Sequence, residues 1–235
     1  MQRLEPTMTQ KFTFAQREEG FDNHISQSIR GYNDLIGDVI NLSQYFVEND
    51  TVVYDIGCST GKMLREMMKQ NEKIAPRADY IGIEIEEDFF KFFDKNAQSN
   101  LEFLRKDVRD VDFAVNTSLI TSIFTLQFMP RQDRQNVINE IYNSLIPGGA
   151  FIFAEKTIGN NPMIHEMRTF TYYDFKKLSF TYDDIMTKEK KLRSMLKSNS
   201  RHELIEMCET AGFNSNSIDS FWQNFAFTGF IAIKN

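Results

Sequence analysis

The sequence has few cysteines and no long apolar run. Two cysteines, Cys58 and Cys208, occur in 235 residues, and their separation gives neither a CxxC zinc motif nor a disulfide framework. The longest largely apolar stretch, residues 119–129, is interrupted by hydroxyl and amide side chains and is shorter than the roughly 20 residues that a membrane helix needs. The first residues lack the apolar segment of a secretory signal. We therefore expect a cytoplasmic protein with no membrane span and no metal site.

Basic residues are also scarce relative to acidic ones. The chain has 27 Lys and Arg against 33 Asp and Glu, a formal net charge of -6. A protein that binds nucleic acid along its phosphates normally carries a basic surface. Lysine-rich groups do occur at residues 176–177 and 188–193, but such groups are typical of solvated helix faces. We expect no direct binding to nucleic acid.

A strand followed by a glycine-rich turn is the organising feature of the sequence. Residues 51–56 predict a buried strand that contains Asp55, and the turn Gly57-Cys58-Ser59-Thr60-Gly61 follows, with an amphipathic helical pattern behind it. The two glycines let the backbone approach a ligand without a Cβ, at the sheet edge where open α/β sheets bind ligands. Because the middle glycine of the dinucleotide fingerprint is absent, the turn fits a nucleoside better than a dinucleotide. A structural turn with an incidental Asp55 is the alternative.

Two further predicted strands are followed by carboxylates. The strand at residues 80–84 ends at Glu84, which is placed to accept hydrogen bonds from both ribose hydroxyls. The strand at residues 101–104 leads to Asp107 and Val108, which would receive the amino group of a purine and cover its ring. Glu84 as a first-turn helix acid and Asp107 as a turn cap are the alternatives. Tyr32, in the corner between two predicted N-terminal helices, would either reach the ligand or only pack.

Strands and helices alternate along the chain, which predicts a parallel, doubly wound α/β fold. We expect a Rossmann-like, mostly parallel seven-stranded sheet with an antiparallel C-terminal hairpin and a helical insert. The predicted divisions are an N-terminal arm with capping helices at 1–48, the α/β core at 49–157, the insert over the site at 158–200, and a C-terminal helix and strands at 201–235 that complete the core sheet.

The motifs together resemble one family. Asp55-Ile-Gly-Cys-Ser59 resembles the first motif of class I S-adenosylmethionine (SAM) enzymes. From Phe21 onward, further motifs resemble those of the carboxy-SAM synthases, a family with the SAM-dependent methyltransferase fold. These motifs include Gly31-Tyr32, residues 107–110, Phe124-Thr-Leu-Gln-Phe128, residues 147–150, Glu155-Lys156, Asp174-Phe-Lys176 and residues 211–213. The resemblance implies a homodimer that binds SAM or carboxy-SAM. It also implies that prephenate, a small-molecule substrate, supplies carbon dioxide to the SAM methyl carbon, giving carboxy-SAM and phenylpyruvate. The product would serve wobble-uridine modification on tRNA through a separate enzyme.

The resemblance also implies the site residues. The SAM contacts would be Tyr32, Asp55, Gly57, Cys58, Ser59, Glu84, Ile85, Asp107, Val108 and Ile123. Cys58 is expected to serve by its backbone position rather than its thiol, since no histidine lies near it in sequence to activate it. The family has an asparagine at the position of Ile123, so a polar contact is lost there.

The residue that binds the transferred carboxylate has two candidate positions. Arg193 lies in an Arg-Ser-Met-Leu run like that of the family, whereas an alignment without gaps over residues 185–200 puts Glu189 at this position. The two positions are about one helical turn apart. An arginine would bind the carboxylate, and a glutamate would repel it. An ordinary SAM-dependent methyltransferase acting on a small molecule or RNA, and a catalytically silent SAM-fold protein, are the alternative functions.

Overall fold

The computed structural model describes residues 20–93 and 99–235. Residues 1–19 of the predicted N-terminal arm lie outside the described residues. The helices are α1 (Phe21–Ser28), α2 (Tyr32–Ser43), α3 (Lys62–Asn71), α4 (Arg131–Ser144), α5 (Pro162–Lys176), α6 (Tyr182–Arg193) and α7 (Arg201–Ala211). The strands are β1 (Val52–Ile56), β2 (Asp79–Glu84), β3 (Leu101–Arg105), β4 (Thr117–Ile123), β5 (Leu145–Ile158), β6 (Asn199–Ser200), β7 (Ile218–Asn224) and β8 (Phe227–Ile233). Short 3₁₀ helices occur at Glu87–Phe92, Val108–Asp110, Leu126–Phe128 and Ser215–Ser217.

The sheet has the predicted α/β topology. Its strand order is β3-β2-β1-β4-β5-β8-β7, with β1 to β5 parallel and β8 antiparallel to both β5 and β7. The mostly parallel sheet with an antiparallel C-terminal hairpin is therefore confirmed. An eighth strand, the two-residue β6, pairs with the end of β5 inside the stretch expected to be a helical insert. So short a strand leaves no periodic pattern in the sequence.

Helices cover both faces of the sheet. Successive side chains of β1 point to opposite faces, as the period of a strand requires. Val53 packs with Leu35 of α2 and Leu64 of α3, while Tyr54 packs in a second cluster that includes Ile138 of α4. Across the residues that the structure describes, no helix is long and apolar enough to cross a membrane.

The strand order places a topological switch point between β1 and β4. From β1 the chain moves outward to β2 and β3, then returns to β4 on the other side of β1 and moves outward to β5. Open α/β sheets bind ligands in the crevice at such a point, beyond the carboxyl ends of the strands. The glycine-rich turn after β1 therefore lies where the sequence places a ligand.

Candidate functional site

A cavity lies at the carboxyl edge of the sheet, beside the ends of β1, β2 and β4. Helices α1 and α2 form one wall, and α5 and α6 contribute to another. Eight residues expected to contact SAM line this cavity: Tyr32, Asp55, Gly57, Cys58, Ser59, Glu84, Ile85 and Ile123. The structure therefore brings most of the predicted site together, although the residues come from four separate parts of the sequence.

The turn after β1 is held against the end of β2. The backbone N–H groups of Gly57 and Cys58 both donate to the carbonyl oxygen of Ile83, at 2.8 and 3.1 Å. Gly57 has a φ of 74°, and a Cβ there would overlap the side chain of Thr125. Only glycine therefore fits this position without a shift of the neighbouring loop.

The Glu84 carboxylate faces this turn from the end of β2. Its Oε2 accepts a hydrogen bond from the backbone N–H of Ser59 at 2.9 Å. Its Oε1 accepts from the N–H groups of Ile85 and Glu86, at 2.8 and 2.9 Å. Burial raises the pKa of Glu84, and the three N–H donors act in the opposite direction. Because a carboxylate offers about four lone-pair sites, one remains at Oε2 for a ligand hydroxyl in this conformation.

Asp55 and Tyr32 lie on either side of the same cavity. Asp55 is buried, and its Oδ1 accepts a hydrogen bond from the Thr121 hydroxyl at 2.8 Å. Burial is the main reason that the pKa of Asp55 rises to about 7, and the nearby Glu84 adds to it. Tyr32 begins α2, and burial together with the charges of Asp22 and Asp55 raises the pKa of its hydroxyl. The Tyr32 hydroxyl is therefore protonated at neutral pH and can donate a hydrogen bond, whereas the Asp55 carboxyl changes its protonation state near neutral pH.

The Cys58 thiol is buried, and its surroundings keep it protonated. It is 6% exposed and packs in a small cluster with Phe21, Phe89 and Phe93. Burial is the first cause that raises its pKa, and the carboxylates of Asp55 and Glu84 act in the same direction. A thiol kept protonated is a poor nucleophile.

Two predicted contacts, Asp107 and Val108, do not line the cavity. The Asp107 carboxylate accepts hydrogen bonds from Arg109, at 3.0 Å from its backbone N–H and at 2.6 Å from Nη2, and this pairing lowers the pKa of Asp107. Val108 is 9% exposed and packs in the same core cluster as Ile56 and Ile83. Asp107 thus caps the following turn, and the contact of Asp107 and Val108 with the purine stays a prediction.

The second wall of the cavity presents Glu189 rather than Arg193. Arg193 is the last residue of α6, is exposed, and is not among the residues that line the cavity. Glu189 lies about one turn earlier in α6 and lines the cavity. Its Oε1 is 3.4 Å from Lys176 Nζ, and its Oε2 is 3.5 Å from Lys156 Nζ. Arg193 does not line the cavity, although Leu192 and Leu196, on either side of it in sequence, do.

The sequence interpretation missed the basic side of this cavity. Lys156, Lys176 and Lys188 all line it, and the Lys176 side chain is only 2% exposed. The expectation of a solvated helix face was therefore wrong for Lys176. It was also wrong for Lys188, whose Nζ lies 3.0 Å from His24 Nε2 of α1. The available signal was the position of Lys156, directly after a predicted strand and next to Glu155.

Comparison with known proteins assigns the chain to a family. A family model described as a methyltransferase domain matches residues 53–149. The carboxy-S-adenosyl-L-methionine synthase of Staphylococcus epidermidis is 36% identical over 228 residues, which cover 95% of this chain and 96% of that protein. The chain belongs to the carboxy-SAM synthase family. The protein of the same name from Nautilia profundicola is 30% identical over 218 residues, covering 91% of this chain and 90% of that protein. Membership in the carboxy-SAM synthase family confirms the resemblance seen in the sequence and makes the chain a transferase.

Solved structures agree with this assignment at the level of the fold. Human N-acetylserotonin methyltransferase in complex with SAM has a TM-score of 0.59 at 15% identity, covering 97% of this chain and 60% of that chain. Phosphoethanolamine N-methyltransferase 2 of Haemonchus contortus, in complex with S-adenosyl-L-methionine, has a TM-score of 0.62 at 12% identity, covering 96% of this chain and 58% of that chain. The fold of this carboxy-SAM synthase family member is therefore that of SAM-dependent methyltransferases. SAM is the cofactor that the fold and the family together indicate.

Proposed function

We propose that this protein converts SAM and prephenate into carboxy-SAM, phenylpyruvate and water. In the balanced reaction, the SAM methyl carbon loses a proton and gains the carboxyl group that prephenate releases. The hydroxyl group that prephenate also loses leaves with that proton as water. The product would serve wobble-uridine modification on tRNA through a separate enzyme, in the cytoplasm.

The observation that carries the proposal is the pairing of Glu84 with the turn after β1. Ser59 and Glu84, which are 25 positions apart, are joined by a hydrogen bond at the cavity wall. A turn with glycine at its first position lets a ligand approach the backbone, and a carboxylate beside it can accept from a ribose hydroxyl. We assign the amino-acid part of SAM to the Gly57–Ser59 turn and the ribose to Glu84, with Tyr32 and Asp55 nearby.

The test is a single incubation of the protein with SAM and prephenate, followed by mass spectrometry. We expect a product heavier than SAM by one carbon dioxide, and phenylpyruvate in equal amount. Omitting prephenate should abolish both products. A parent protein that binds SAM but forms no carboxy-SAM would refute the proposed reaction.

One observation favours an ordinary SAM-dependent methyltransferase as the second candidate. Glu189 lies in the cavity where the resemblance implies an arginine, and Ile123 replaces an asparagine. A glutamate disfavours a second carboxylate close to it, unless cations lie between them. This candidate predicts S-adenosylhomocysteine, rather than carboxy-SAM, when the protein is incubated with SAM and an acceptor. The same mass spectrum therefore distinguishes the two reactions.

We also propose a homodimer, and helix α5 supplies the support for it. Met163, Met167 and Phe170 recur at helical spacing on α5 and are 62%, 57% and 65% exposed. Exposed apolar stripes of this kind are typical of protein interfaces. Sedimentation should give twice the chain mass for the parent and a lower mass for Met167→Asp. A parent that sediments as a monomer at micromolar concentration would contradict the homodimer.

A further inference from the structure

The charges on the cavity wall are divided between two regions. Asp55, Glu84 and Glu86 lie at the ends of β1 and β2, on the side assigned to SAM. Lys156 lies near the end of β5, and Lys176 and Lys188 come from α5 and α6. A cationic sulfonium compound and an anionic second substrate would each be favoured by the region of opposite charge.

Lys156 and Lys176 lie next to the same aromatic ring. Both ammonium groups lie over the ring of Tyr172, at 5.4 Å and 5.0 Å from its centroid. Tyr172 and Lys176 are separated by four residues in α5, so they share a helix face. The backbone N–H of Lys156 donates to Gln127 Oε1 at 2.9 Å, which fixes this end of β5 to the loop after β4. The two lysines are therefore held by separate elements next to one aromatic ring.

The Glu189 carboxylate is shared between these two ammonium groups. Its contacts of 3.4 and 3.5 Å are longer than the 2.7–2.9 Å of a well-formed bond between an ammonium and a carboxylate. A shorter contact with the carboxylate of a ligand can therefore replace either of these long ones.

We propose that Lys156 and Lys176 bind a carboxylate of the second substrate, and that Glu189 holds this place until the substrate arrives. The proposal rests on the proposed function, in which that substrate is prephenate. On binding, the substrate carboxylate takes over the contact of Glu189 with at least one lysine. Two separate ammonium groups can each bind one oxygen, whereas an arginine would bind both through its planar fork.

The proposal makes opposite predictions for the lysines and for Glu189. Lys156→Met and Lys176→Met should raise the KM for prephenate at least about tenfold, because each removes a cation that binds the carboxylate. They should leave SAM affinity within about twofold, because neither lysine lies on the side assigned to SAM. Glu189→Gln keeps the shape of the side chain and one acceptor oxygen but removes the competing charge, so it should lower the KM. A residue needed only for folding would not produce this improvement. Lys190→Met, an exposed lysine of α6 outside the cavity, is the matched control and should leave both values unchanged.

The experiment measures binding as well as turnover. Prephenate is titrated by calorimetry into each variant saturated with S-adenosylhomocysteine, which has no methyl group to carboxylate, and carboxy-SAM formation is followed separately. A parent that binds prephenate but makes no carboxy-SAM would refute the proposed function, and the lysine variants would still decide the subsite. Circular dichroism checks that each variant is folded. If Lys176→Met does not fold, Glu189→Gln still tests the proposal.

Three results would refute the proposal that Lys156 and Lys176 bind the substrate carboxylate. One is unchanged prephenate binding and KM in Lys156→Met and in a folded Lys176→Met. Another is weaker prephenate binding in Glu189→Gln, and the third is a parent that does not bind prephenate at all. If Arg193→Ala instead lost prephenate binding while the lysine variants kept it, the carboxylate would belong to Arg193.

Discussion

Replacing Glu84 by alanine should weaken SAM binding more than any other single change at the end of β2. In the structure the Glu84 carboxylate has one lone-pair site left, on the oxygen that faces Ser59. Loss of a ligand hydrogen bond to this charged group should cost about 1.5 to 3 kcal/mol, which corresponds to roughly 10- to 150-fold in affinity. Calorimetric titration of SAM into the parent and Glu84→Ala measures this difference.

The same substitution also removes internal contacts, and the assay must separate the two effects. Glu84→Ala leaves the N–H groups of Ser59, Ile85 and Glu86 without this acceptor. We expect the free energy of unfolding in urea to fall by about 1 to 3 kcal/mol or more, so the titration must be made well below the unfolding temperature. Glu87→Gln is the control, because Glu87 is an exposed carboxylate of the same segment that does not line the cavity. SAM affinity equal to that of the parent in a folded Glu84→Ala protein would refute the assignment of the ribose to Glu84.

Three further predictions follow from buried groups. Cys58 should react with iodoacetamide much more slowly in the folded protein than in urea at neutral pH, because burial raises its pKa; equal rates would contradict this. The pKa of Asp55 is raised from its ordinary value near 4 to about 7, so the folded state binds a proton more tightly than the unfolded state. Its contribution to stability is complete below about pH 4 and is lost as the pH rises to about 7, and urea unfolding of Asp55→Asn should show a weaker pH dependence than the parent. Glu155 accepts from the N–H groups of Leu126 and Gln127 at 3.0 and 2.8 Å, so Glu155→Gln should lower the free energy of unfolding by about 1 to 3 kcal/mol. Urea midpoints equal to those of the parent would show that these contacts contribute little.

The parts of the site that could be predicted from the sequence depend on local patterns. The strand, its glycine turn and the carboxylate ending β2 are local signals, and the parallel sheet brings them to one edge. The positive φ of Gly57 and the overlap that a Cβ would make with Thr125 account for the glycine at this position. Fold class and most residues assigned to SAM could therefore be predicted before the structure was known.

The remaining features depend on contacts between distant segments. Asp107 follows a strand as Glu84 ends one, but its carboxylate pairs with Arg109, which also contacts Asp133 of α4. Lys176 belongs to a lysine pair that has the pattern of a solvated helix face, yet it is 2% exposed beside Glu189 of the next helix. The choice between Arg193 and Glu189 likewise depended on which residues of α6 face the cavity. No local pattern encodes how these two helices pack.

The measurement that tests the central claim most directly follows one carbon atom. Prephenate labelled in its ring carboxylate with a heavy carbon isotope is incubated with the protein and unlabelled SAM, and the products are separated and weighed by mass spectrometry. The proposed function predicts that the label appears in carboxy-SAM and is absent from phenylpyruvate. Unlabelled carboxy-SAM, or S-adenosylhomocysteine as the only product of SAM, would contradict it.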